Sequence, residues 1–64
     1  MTVAEKQIVL RTAANAYAHY NALARGFTVS DALTYALEEH EEQLLECSRE
    51  DISSLTKELF RITG

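Results

Sequence analysis

From Val29 to Cys47 the apolar residues recur at helical spacing. At 100° per residue, Val29, Leu33, Ala36, Leu37, Leu44 and Cys47 fall on one face. The stretch opens on Thr28 and Asp31, the spacing of a capping box with Asp in place of the usual Glu. Gly26 precedes it and suits a left-handed helix stop, and Phe27 can pack back on the helix before. Proline is absent, and the only other glycine is Gly64. Helix, tight turn, helix is therefore the expectation for residues 13 to 46.

The segment after Cys47-Ser48 repeats the logic. Ser48 and Asp51 have capping-box spacing, and Ile52, Leu55, Leu59 and Ile62 follow at 3-4-3 intervals with Phe60 on the flank. Glu50, Lys57, Glu58 and Arg61 take the other side. The first segment carries a stripe of Val9, Ala13, Ala16, Tyr20 and Leu23, widened by Leu10, Tyr17 and Ala24. Its alanines favour a helix and allow close helix-helix approach. Two starts remain open. Thr2 and Glu5 can cap a helix beginning at Val3, or residues 6 to 12 are extended and the helix begins near Thr12. The alanine density and the Thr2-Glu5 spacing favour the first; the β-branched pair Ile8-Val9 favours the second slightly.

These patterns predict an all-α domain over residues 1–64. Three helices are expected, at roughly 3–25, 28–46 and 49–62: a helical hairpin with a third helix packed across it. A 64-residue chain buries a small core. Self-association is therefore expected through the Ala/Tyr stripe (Ala13, Ala16, Tyr17, Tyr20) or the last helix (Leu59, Phe60), with a symmetric homodimer the commonest closed solution.

The totals exclude several classes. A hydrophobic content of 47% argues against disorder. The only early apolar run is Ile8-Val9-Leu10, after Glu5 and Lys6, too short for a secretory leader or a membrane span. With Cys47 alone, no internal disulfide forms, and the chain reads as a reduced, cytoplasmic protein. The net charge of −4 disfavours nucleic acid across the whole surface.

Charge is segregated. Residues 26 to 47 carry Asp31, Glu38, Glu39, Glu41, Glu42 and Glu46 and no lysine or arginine. On a continuous helix, Glu38, Glu42 and Glu46 form an i, i+4 ladder with Glu39 beside it. Each like-charge pair costs roughly 0.2–0.5 kcal/mol. A solvated face explains such a run; a docking face for a basic protein partner gives it a use, with Tyr35, Glu38, Glu39, Glu42 and Glu46 as contacts and Tyr35 as anchor. His40 falls among Leu33, Leu37 and Leu44, apart from most of the acids. Its helical neighbours Ala36, Leu37, Gln43 and Leu44 supply no usual metal ligand. It is expected as a core or boundary histidine bonded to backbone or a nearby polar group. No metal and no cofactor is expected.

Catalytic patterns are missing. There is no GxSxG, no phosphate-cradling glycine loop and no paired cysteine. The expectation is a non-enzymatic adaptor, inhibitor or regulator. An alternative comes from QIVLRT, residues 7–12, and GFTVSDALTYAL, residues 26–37. These resemble the strand and the turn with second helix of the ribbon-helix-helix DNA-binding proteins. The resemblance implies a dimeric transcriptional regulator with residues 7–11 as reading strand. Gln7, Val9 and Arg11 would face DNA, Ile8 and Leu10 would point inward, and the helix start at Thr28 to Ser30 would meet a phosphate. A continuous helix from Val3 would abolish that ribbon.

Overall fold

A computed structural model describes residues 1–23, 26–44 and 46–63 of the chain. Three helices pack on one another: α1, Val3–Leu23; α2, Val29–Glu39; and α3, Arg49–Thr63. A single 3₁₀ turn, Glu41–Gln43, follows α2. No strand occurs among the described residues.

All three helix starts use the expected capping chemistry. Thr2 Oγ1 accepts from the Glu5 N–H at 3.1 Å while Glu5 Oε1 accepts from the Thr2 N–H at 2.7 Å. Thr28 and Asp31 exchange the same pair of bonds at 3.1 and 3.0 Å, and Ser48 and Asp51 do so at 3.2 Å each. In each box a side-chain oxygen satisfies a helix N–H that has no partner in the helix. Gly26 takes φ +88°, the left-handed region that a side chain disfavours. Phe27 then packs back onto α1, its ring 6.4 Å from Tyr17 and 5.5 Å from Tyr20. The expected end of the first helix, and Ala24 in its stripe, lie outside the described residues.

The start of α1 removes the ribbon. Residues 7–12 lie within α1, and Val9, cast as a reader of DNA bases, is fully buried. The Thr2–Glu5 cap and the alanine run outweigh the preference of Ile8-Val9 for an extended chain.

A second correction concerns the middle helix, which stops at Glu39 instead of reaching residue 46. His40 caps it with φ −108° and ψ 14°, and Leu44 is extended. The C-terminal end of a helix carries partial negative charge. Glu38, Glu39, Glu41 and Glu42 add like charge there, and the last turn holds no basic residue. One local bond accompanies the break: the Gln43 N–H turns back to the His40 carbonyl at 2.9 Å, the three-residue spacing of a 3₁₀ turn. The Glu38–Glu42–Glu46 ladder therefore does not form.

The core is Val9 and Ala13 of α1, Val29, Ala32, Leu33 and Ala36 of α2, and Leu55 and Leu59 of α3. Ala32, not among the residues that the spacing sets on the apolar face, is fully buried. Because α2 packs against both α1 and α3, its buried face is wider than a single-neighbour wheel predicts. Ala13, Ala16 and Leu59, expected on a self-association surface, are buried within one chain, and Tyr17 packs against the core. Of that set only Tyr20 and Phe60 stay exposed. With about 1.5 Å of rise per residue, the 21-residue α1 is nearly twice as long as the 11-residue α2. Val3 and Leu23 overhang at its two ends and lie in solvent.

Candidate docking groove

The early stop of α2 creates a groove. Past Glu39 the chain leaves the helix path and turns once, Leu44 is extended, and α3 begins at Arg49. The hollow between these pieces has a volume of about 520 Å³. Leu37, Leu44, Cys47 and Ile52 give it an apolar lining, and Glu38, Glu41 and Glu46 bring carboxylates to it. Among the described residues no lysine or arginine lines it.

Each wall has a local cause. Leu37 and Glu38 sit on the last turns of α2, whose end is tied down by His40. The imidazole Nε2 lies 2.6 Å from Thr12 Oγ1 of α1, and Nδ1 lies 3.2 Å from Gln43 Oε1. With the Gln43 amide oxygen toward Nδ1, the tautomer that satisfies both contacts has its proton on Nδ1, and Nε2 accepts from the Thr12 hydroxyl. His40 is thus half-buried with both ring nitrogens bonded to polar side chains, the boundary one of the two places expected for it. The wall that carries Glu41 and Leu44 is held in place by this link.

Ile52 belongs to the first turn of α3. Asp51 anchors that turn beside the start of α1, with Lys6 Nζ at 3.4 Å and the Met1 ammonium at 3.3 Å. The Ser48 backbone N–H holds the Asp51 carboxyl down at about 2; partial desolvation opposes this, and the Met1 ammonium and Ser48 hydroxyl reinforce it.

The structure divides the expected partner-binding residues. Glu38 and Glu46 line the groove, joined by Glu41. Tyr35 lies on the α1 side, its ring 6.0 Å from Tyr20, where the two share a second hollow of about 280 Å³ with Thr12, Asn15, Ala16 and His19. Glu39 and Glu42 are exposed and line neither hollow. Sequence reasoning missed Glu41, Leu44 and Ile52 as members of one site, because they meet only once the helix ends. The run of four glutamates around His40, with no cation to relieve it, was the available signal.

Among the described residues no three His, Cys, Asp or Glu side chains cluster as metal ligands, and no helix is long and apolar enough to cross a membrane. Comparison with protein families, curated proteins and solved structures finds no match.

Proposed function

We propose that this chain is a non-enzymatic protein-interaction module, a small adaptor, inhibitor or regulator, and that its groove receives a basic surface of a protein partner. One observation carries the reading: three carboxylates, Glu38, Glu41 and Glu46, share a groove with Leu37, Leu44 and Ile52, and among the described residues no lysine or arginine lines it. Carboxylates around an apolar patch attract a cationic surface at long range and select its register. The apolar lining supplies area for an inserted side chain, where interface affinity concentrates. Tyr35, Glu39 and Glu42 extend the acidic surface beyond the groove and add to the attraction rather than to the fit. Cys47 is exposed and unpaired, which suits the reducing cytosol as its compartment.

The test is a titration, followed by amide NMR, with a peptide of alternating leucine and lysine. Shifts should centre on Leu37, Glu41, Leu44 and Ile52. Glu38→Lys combined with Glu41→Lys should remove binding, whereas Glu39→Lys should weaken it modestly. Unchanged affinity in the double reversal would refute the reading.

A further inference from the structure

We propose that the occupant of the groove is α3 of a second copy of this chain, in a two-fold dimer with the α3 helices antiparallel. This rests on the groove being a docking site and names what docks there. The groove asks for an apolar side chain with cations within one helical turn of it. The chain carries such a feature on its own surface. Phe60 is 58% exposed and joins none of the ring contacts among the described residues. Lys57 lies one turn before it and Arg61 follows it, both exposed. Arg61 pairs with Glu58 of the same helix, whereas Lys57 makes no ion pair among the described residues.

The spacing closes the contact. Ile52, Thr56 and Phe60 recur at i, i+4 and i+8, so they run along one flank of α3, with Ile52 and Phe60 about 12 Å apart along the axis. Ile52 is 40% exposed and lines the groove. A two-fold axis at Thr56 sets Ile52 of each copy against Phe60 of the other. Both grooves are then filled by one operation, and no unsatisfied copy of the surface remains to build a fibre. Lys57 and Arg61 of each copy arrive beside Glu38, Glu41 and Glu46 of the other. Each chain carries −4, a repulsion that physiological salt screens beyond about 8 Å while leaving such close pairs in force. A foreign basic partner competes with the second copy for the same carboxylates.

Sedimentation of the full chain from micromolar to millimolar concentration, at physiological salt, tests this. The mass should rise from 7.2 kDa toward twice that value. Thiol modification of Cys47, which lines the groove, should slow as it does so. Phe60→Glu, an exposed change that leaves the core intact, should hold the chain monomeric with unaltered circular dichroism. Glu41→Lys should weaken the dimer about tenfold or more, and adding Lys57→Glu to that variant should restore it. A monomer at every concentration overturns the proposal, and so does an undiminished dimer in Phe60→Glu. A monomer that still binds the leucine-lysine peptide refutes only the identity of the occupant. A monomer that binds no peptide refutes the docking groove as well.

Discussion

Thr12 Oγ1 and His40 Nε2 stand 2.6 Å apart, joining the middle of α1 to the residue that ends α2. The bond crosses 28 residues of sequence and fixes the wall that carries Glu41 and Leu44. Thr12→Val keeps the shape and removes the donor, leaving a half-buried ring nitrogen unsatisfied. A loss of about 1–2 kcal/mol is expected, and Thr12→Ser should recover most of it. For a domain of this size each kcal/mol lowers the melting temperature by roughly 4–8 °C. Thermal unfolding of the two variants decides the matter; equal stability of Thr12→Val and the parent would show that the bond contributes nothing.

The three capping boxes are not equivalent in what they hold. Ser48 and Asp51 start the helix that supplies Ile52 to the groove and Leu55 and Leu59 to the core. Ser48→Ala should destabilise by about 1 kcal/mol, within the usual range for a lost N-cap. Peptide affinity at the groove should fall with it as the first turn of α3 frays. Hydrogen exchange at the Asp51 and Ile52 amides would report that fraying directly, and unchanged protection there would contradict it.

The helix starts were legible because a capping box is local: four residues specify the bonds that form. The turn at Gly26 and the half-buried place of His40 were legible for the same kind of reason, one being a backbone preference and the other a polar ring on an apolar face. The end of α2 was not, because periodicity continues through Leu44 and Cys47 while the charge that stops the helix is invisible to a hydrophobic wheel. Ala32 was left off the apolar face because a wheel assumes one packing neighbour and α2 has two. Ala13, Ala16 and Leu59 read as a surface between chains, since a short sequence cannot show whether an alanine stripe meets its own third helix or another copy. The groove combines all of these, and no stretch of sequence contains it.

If like charge at the C-terminal end limits α2, a cation there should extend or firm the helix. Glu39 is its last residue and is exposed. Glu39→Lys replaces an unfavourable interaction with the helix dipole by a favourable one, a gain of about 0.3–1 kcal/mol at low ionic strength. The helical signal at 222 nm, a wavelength that reports backbone helix in any protein, should rise slightly, and the gain should shrink as salt is added. A variant less stable than the parent would point instead to a structural role for the Glu39 carboxylate.

Asp51 gives the fold a defined sensitivity to acid. Its carboxyl titrates near 2, below the ordinary 3.8, chiefly because the Ser48 N–H bonds the ionised form. A carboxyl held down in the folded state binds fewer protons than in the unfolded chain between those two values. Its contribution is therefore complete above about 4 and is lost as pH falls through about 2. Asp51→Asn keeps an oxygen able to accept from Ser48 but carries no charge toward Lys6. Urea midpoints of the two proteins should differ at neutral pH, with the parent the more stable, and should converge between about pH 4 and pH 2. Glu58, lowered by Arg61, titrates in both proteins and cancels from the comparison. A difference that stayed constant through that window would mean that Asp51 acts through shape alone, and that the clasp between the starts of α1 and α3 is not electrostatic.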